Sequence, residues 1–352
     1  MSRVVVGMSG GVDSSLAAAL MSEAYSDVIG ITMHLAGNSS RCCSLDDADD
    51  ARKVAEQLGI NFYVANYTKE FRQEVMKPFA DSYLAGETPI PCIVCNKRFK
   101  FDHLLARARG LGAEKVATGH YARVAKDEES GEFRLLRALD STKDQSYFLY
   151  NLSQDQLARI EFPLGFLTKE EVRQKARNLG LSTAEKPESQ EICFVPDGDY
   201  AKVVEELEPS SLPGRGEVVS EDGTFLGSHE GIHHFTVGQR RGLGVSGSGR
   251  LYVSKLDAKL NRVVVGDGRS LEHTKVEVSN LSWVSNEGIP DTFCAEIRVR
   301  HGHDPCPAKV EVLDGVATAF LDRPVRAVAA GQAAVFYDSD TVLGGGSIKA
   351  AN

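Results

Sequence analysis

Apolar β-branched runs alternate with amphipathic stretches along the first half of the chain. Arg3, Val4, Val5, Val6 and Gly7 have the apolar continuity of a buried strand, and residues 13–24 follow with helical character. Residues 28–33 and 62–66 predict two further strands. Between them, 46–58 predict a helix with Leu45, Ala48, Ala51, Val54, Ala55 and Leu58 on one side. Helices are expected over 70–84 and 99–111, and a strand over 115–118 that ends at Gly119. This alternation implies an α/β fold, with parallel strands joined by right-handed helical crossovers. Ligands of such sheets bind at the carboxyl ends of the strands, where residues 7–15, Met33 and 119–121 all fall.

Beyond Asp199 the texture changes. Residues 209–216 are rich in turn formers, and from Gly216 alternating strands are punctuated by Asp222-Gly223, Gly242, Gly244, Asp267-Gly268 and Asp314-Gly315. The expected division is an α/β unit over 1–205, a small β-rich central domain over 206–272 and a C-terminal β-barrel over 273–352.

Composition narrows the class only slightly. The 352 residues are 42% hydrophobic and 25% charged, as in a soluble globular protein, and no apolar run is long enough for a membrane helix. The first residues lead directly into a strand, so no signal peptide is expected, and a cytoplasmic location follows. A net charge of −9 argues against non-specific coating of nucleic acid, yet one basic face suffices for an RNA enzyme.

Ser9-Gly10-Gly11-Val12-Asp13-Ser14-Ser15 lies between the first strand and helix. Two glycines let successive N–H groups turn inward as an anion nest, the helix adds its positive end, and Ser9, Ser14 and Ser15 offer hydroxyl donors. No lysine of the Walker type is present. The segment resembles the pyrophosphate loop of the N-type ATP pyrophosphatases, whose fold is the adenine-nucleotide alpha-hydrolase-like (PP-loop) sheet. That resemblance implies ATP bound by Gly7, Met8, Ser9, Gly10, Gly11, Val12, Asp13 and Ser14, with Asp13 organising Mg²⁺. Met33 and Gly119 match positions that contact the adenine nucleotide.

Seven cysteines include Cys92-Ile93-Val94-Cys95, in a segment that Pro89 and Pro91 are expected to keep out of regular helix, and Cys193 in Ile192-Cys193-Phe194. Spacing alone leaves zinc binding, burial and thiol chemistry open, although no second Cys-x-x-Cys or paired-histidine motif completes a zinc set. Cys42 and Cys43 read as buried residues before a helix, and Cys294 and Cys306 as packing residues. Trp283 and His233-His234 read as core and turn residues.

The motifs TP-x-PC-x-x-CN-x-x-x-KF, ATGHYAR (117–123), KDQSYFLY (143–150), ICF, GQRRGLG (238–244) and GQAAVFY (331–337) stand in order along nearly the whole chain. Together they are similar to those of the bacterial and mitochondrial tRNA-specific 2-thiouridylases. The resemblance implies 2-thiolation of the wobble uridine, with tRNA bound through its anticodon stem-loop. Cys95 and Cys193 are then the catalytic pair. Cys193 carries a persulfide supplied by a sulfur-relay protein or cysteine desulfurase, a Cys95–Cys193 disulfide forms transiently, and a lysine such as Lys97 could lower a thiol pKa. No resident metal site is expected. Many relatives carry Asn-Pro-Asp where this chain has Ile90-Pro91-Cys92, so an acid near the target base is replaced by a thiol. A cluster held by Cys92, Cys95 and Cys193 is the alternative use of that third cysteine.

The resemblance also implies tRNA contacts at Ile90, Pro91, Cys92, His120, Lys143, Asp144, Gln145, Arg300, His301 and Gln332. Lys97, Arg98, Lys100, Arg107, Arg109, Arg240, Arg241, Arg298 and Arg300 make up a candidate basic face for phosphates. A small-molecule adenylating ligase would share the loop but leave the cysteines and the β-rich half without a role. A non-catalytic RNA-binding or redox protein would leave the intact loop without one.

Overall fold

The computed structural model describes residues 2–36, 45–188, 192–195, 197–245 and 249–351. The Cys42-Cys43 pair lies outside them. No helix among the described residues is long and apolar enough to cross a membrane.

The first strands are β1 (Arg3–Gly7), β2 (Asp27–His34), β3 (Asn61–Asn66) and β4 (Lys115–Thr118). Next come β5 (Arg123–Lys126), β6 (Phe133–Leu136) and β7 (Ile160–Glu161). Five of these form one sheet in the order β3-β2-β1-β4-β7, every pairing parallel. Val4, Val5 and Val6 of the central strand are fully buried, as expected of a strand covered on both faces. Helices α1 (Val12–Ala24) and α2 (Leu45–Leu58) follow β1 and β2, with Ala48, Ala51, Val54 and Ala55 of α2 buried. The strand order reverses direction between β1 and β4, which opens a crevice outside their carboxyl ends.

Two expected helices differ in detail. The stretch 70–84 comprises Thr68–Phe71, a wide π turn over Arg72–Met76, and Lys77–Leu84. Pro78 has no amide to return to residue 74, and widening the preceding turn relieves the clash its ring would make. The helix expected over 99–111 begins earlier, as Pro91–Cys95, passes through a π turn over Asn96–His103 and ends as Leu104–Gly110. Pro91 does not exclude helix here because it occupies the first turn, where no amide is needed. Cys92 and Cys95 therefore lie three apart on one helical turn. Helices over Lys169–Asn178 and Tyr200–Leu207 come in addition; Thr168 and Glu171 form a capping box on the first, and Asp199 caps the second.

The central sheet pairs β8 (Gly216–Ser220), β9 (Phe225–His229), β10 (Tyr252–Asp257) and β11 (Arg262–Gly266) around Val218, Ile232, Phe235, Val253 and Val263. The last strands are β12 (Glu272–Trp283), β13 (Thr292–Arg298), β14 (Cys306–Leu313), β15 (Val316–Arg326), β16 (Ala333–Asp338) and β17 (Thr341–Ala351). They pair in the order β12-β15-β14-β13-β16-β17, and β12 pairs with β17 to close a six-stranded barrel. Trp283 packs edge-on to Phe293 and beside Phe336 in the barrel core. Cys306 is buried there, but Cys294 is exposed, so the packing role expected of it is not seen; it stands on the outward side of an alternating strand.

The β5–β6 hairpin leaves the α/β sheet and joins the barrel through β17, with Arg123 paired to Asp340 at 2.7 Å and Arg137 to Glu296 at 2.9 Å.

Candidate active site

At the carboxyl end of β1, Gly10 adopts φ +72°, and a Cβ there would collide with the carbonyl oxygen of Asp47. Only glycine makes this turn. The N-cap of α1 is Gly11, which places no side chain on the helix's first amides and leaves them for an anion. Ser14 Oγ accepts from Ser9 N at 3.0 Å and donates to the Gly11 carbonyl at 3.1 Å, fixing the loop from within. Ser15, expected as a further phosphate donor, is fully buried and gives its hydroxyl to the Gly11 carbonyl at 2.9 Å. Val12 buries its side chain in the core, so its contribution at the loop is its backbone.

A cleft that is partly open to solvent lies against this loop. Gly7, Met8, Ser9, Asp13, Ser14, Met33 and Gly119 line it, whereas Gly10, Gly11 and Val12 shape the turn behind it. Gly119 lets β4 press against α1: a Cβ there would come within 2.7 Å of the Ser14 nitrogen. His120 and Gln145 also line the cleft. His120 accepts or donates at Thr118 Oγ1 (2.8 Å) and packs between Phe101 and Phe162. Burial, aided by the charge of Lys100, pushes its pKa well below the usual imidazole range, so it is a neutral group.

Asp13 is held from two sides. Lys169 Nζ reaches both its oxygens at 2.7 and 2.8 Å, and the Tyr121 hydroxyl donates to it at 2.8 Å. Burial and then the Asp13 carboxylate push the Tyr121 phenol far up. Lys169 also meets Glu188 at 2.8 Å, and Glu188 meets Lys143 at 2.8 Å. Burial alone would raise the Glu188 carboxyl, but the two ammonium groups outweigh it and hold it down to about 2. A chain of alternating charges thus runs from the loop to Lys143. Lys169 and Glu188 were not singled out in the sequence; the Thr168-x-x-Glu171 capping box would have marked the helix on which Lys169 stands.

The cysteine helix leads into the same cleft. Lys100 and Leu104, on its later turns, line it. Cys95 precedes Lys100 by five residues across the π turn, one wide turn of helix. Cys95 is buried, and Cys92 and Cys193 are half-buried. Phe71 packs edge-on to both Phe99 (5.4 Å) and Phe194 (5.8 Å), so one aromatic core holds the segments of Cys95 and Cys193. Ile90 packs against this core, and Pro91 is buried.

The remaining expected RNA contacts divide. Arg300 is exposed, as are Arg240 and Arg241. His301 packs on Phe148 at 4.5 Å. Gln145 joins Tyr121 by hydrogen bonds in both directions, 2.8 and 3.0 Å. Asp144 is buried and accepts from Ala138 N, Ser146 N, Ser146 Oγ and Arg298. Gln332 donates to the Thr88 carbonyl at 2.9 Å, just ahead of the cysteine helix. Arg298, placed on the basic face by sequence, turns inward to Asp144, and Arg98 and Arg109 pair with Glu74 and Asp155.

Residues 2–197 match the family described as tRNA methyl transferase HUP domain, residues 203–267 the tRNA methyl transferase PRC-barrel domain, and residues 273–348 the aminomethyltransferase beta-barrel domain. Among curated proteins, the tRNA-specific 2-thiouridylase MnmA of Geobacter metallireducens is 49% identical, covering 99% of this chain and 97% of the relative. That of Rhodospirillum rubrum is 50% identical over 99% and 96%, and that of Solibacter usitatus 46% over 98% and 99%. At this identity over almost the full length, the chain belongs to the tRNA-specific 2-thiouridylase family.

Proposed function

We propose that the protein uses ATP to activate the C2 oxygen of the wobble uridine in tRNA and then replaces that oxygen with sulfur. The observation that carries this reading is the continuous helix that places Cys95 one turn before Lys100, a wall of the cleft beside the anion nest. The nest suits the β and γ phosphates, and the apolar wall of Ile31, Met33 and Leu35 suits an adenine ring. Asp13 offers hard oxygen donors that fit Mg²⁺, which would neutralise phosphate charge. Lys169 would then be held by Glu188.

The uridine O2 attacks the α-phosphorus, and pyrophosphate leaves. The terminal sulfur of a Cys193 persulfide, supplied by a relay protein or desulfurase, attacks C2 and displaces AMP. The Cys95 thiolate then attacks Cys193 Sγ and breaks the S–S bond. Sulfur stays on C2 and a Cys95–Cys193 disulfide remains, which an external dithiol reduces. An anticodon loop presents its base for this chemistry at low unstacking cost. Methyl transfer, named in two of the family descriptions, would need neither a phosphate nest nor paired thiols.

Thiolation of tRNA by desulfurase-derived sulfur, followed alongside pyrophosphate release, tests the scheme. Cys193→Ser and Cys95→Ser should lose thiolation while tRNA-dependent pyrophosphate release persists, and Cys92→Ser should keep a substantial part of both. Thiolation surviving in Cys193→Ser refutes the persulfide assignment. A stoichiometric iron–sulfur cluster lost together with activity in Cys92→Ser would replace it with cluster chemistry.

A further inference from the structure

The helix Tyr200–Leu207 and the short turn Ile232–His234 meet away from the cleft, and three metal-ligating side chains converge there. Glu205, His233 and His234 bring one ligand atom each to within 4.8 Å of one another. The two imidazole Nε2 atoms face the same carboxylate oxygen, at 3.3 Å from His233 and 3.5 Å from His234. Neighbouring side chains normally diverge, yet these two rings lie 4.2 Å apart.

Hydrogen bonding alone accounts poorly for this geometry. An imidazole N–H on a carboxylate would close to about 2.7–2.9 Å if ionised. Here both contacts are longer and share one acceptor. A tetrahedral ion with metal–nitrogen and metal–oxygen bonds of about 2.0–2.2 Å sets its ligand atoms about 3.4 Å apart. Both nitrogen–oxygen distances match that edge. His233 is 2% exposed, and its Nε2 is turned toward Glu205 at 3.3 Å. Glu205 and His234 are half-exposed, which gives an ion a way in. The frame is fixed independently: Tyr200 Oη lies 3.2 Å from Thr236 Oγ1, and the Tyr200 ring stacks on Tyr83 at 4.4 Å.

We propose that Glu205, His233 and His234 form a site for a divalent transition ion of the zinc class, with a water completing four ligands. Two nitrogens and one carboxylate oxygen select zinc or cobalt over magnesium or calcium. The ion staples the helix that follows the Cys193 segment to the central β-rich unit, so its role is structural and separate from the thiol chemistry.

The test uses the full chain with its thiols alkylated, so that cysteines do not compete. Calorimetric titration with Zn²⁺ should show one ion per chain, and Co²⁺ should give visible ligand-field absorption without a thiolate charge-transfer band. Zn²⁺ should also raise the melting temperature. Glu205→Ala and His234→Ala remove half-exposed side chains, and circular dichroism checks that both remain folded. Each should weaken Zn²⁺ binding at least tenfold and abolish the thermal shift. Absence of binding to the alkylated protein, or equal affinity in the wild type and both variants, would overturn the proposal.

Discussion

The loop after β1 takes its turn from bonds among its own residues, although Asp13 is also met by Lys169 and Tyr121, whereas the segment leading into the helix of Cys92 and Cys95 is tied from 244 positions away, by Gln332 on Thr88. In the loop, Ser9, Gly11 and Ser14 bond one another, and α2 packs behind Gly10. At the cysteine helix, order comes from the aromatic core that joins it to the Cys193 segment and from the barrel. The loop is therefore held largely by hydrogen bonds among neighbouring residues, and the cysteine helix by contacts that reach across the chain. A nucleotide can be gripped by a preformed nest. Sulfur transfer by Cys95 and Cys193, as proposed, would need thiols from distant segments to meet, and the shared aromatic core holds those two segments together.

Gly10 is the least tolerant position of the loop. Gly10→Ala forces a side chain into left-handed backbone and onto the Asp47 carbonyl, an expected loss of about 3–5 kcal/mol unless the loop moves. Thermal melts together with pyrophosphate release should show either a large destabilisation or a folded protein without activation. A variant with wild-type stability and turnover would mean that the turn is not the rigid element described.

Asp144→Ala is the corresponding break at the long-range end. The side chains of Asp144 and Arg298 are 2% and 14% exposed and 3.2 Å apart, and removing the acid strands a buried guanidinium. Loss of about 3 kcal/mol is expected in chemical denaturation. Thiolation should fall further than pyrophosphate release, because the barrel seat is damaged and the loop is not.

Legibility in the sequence follows the same division. The strand, the glycine turn and α1 are spelled out by contiguous residues 3–24, and the barrel by strand alternation. Pro91 was misleading, because proline forbids a helix interior yet suits a first turn, and only the fold shows which applies. The Lys169–Asp13 and Glu188–Lys143 pairs join residues from separate elements with no local pattern. Asp144 and Arg298 look like surface charges until the β5–β6 hairpin and the barrel enclose them.

Glu188 sits where the two regions touch, since it holds Lys143 on one side and the loop's Lys169 on the other. Its carboxyl is lowered from 4.5 to about 2, so its stabilisation is fully present above the ordinary carboxylate range and is lost as pH falls through about 2. Glu188→Gln should cost on the order of 1–2 kcal/mol near neutrality, allowing for screening. Denaturation curves between pH 4.5 and about 2 should then be flatter for the variant than for the wild type. Parallel curves would remove Glu188 as the link.

Gln332 is expected to give the mildest change. Gln332 Nε2 donates to the Thr88 carbonyl at 2.9 Å, while Thr88 N donates to the Ala330 carbonyl at 2.8 Å, so barrel and cysteine segment share two bonds. Gln332→Ala removes the first and leaves the backbone bond, an expected loss of about 1 kcal/mol. Such a change barely alters the folded population, but it releases one of the two ties that set where the helix of Cys95 begins. Positioning errors of this kind act on the step that needs alignment and spare the step that does not. Single-turnover thiolation should therefore slow several-fold, with the KM for ATP unchanged and pyrophosphate release near wild type. Gln332→Glu keeps the length but puts an acceptor against a carbonyl, so it should do at least as much harm as alanine. If both variants slow the two steps equally, Gln332 acts through tRNA affinity, and the slope of tRNA binding against salt would then show whether that affinity is electrostatic.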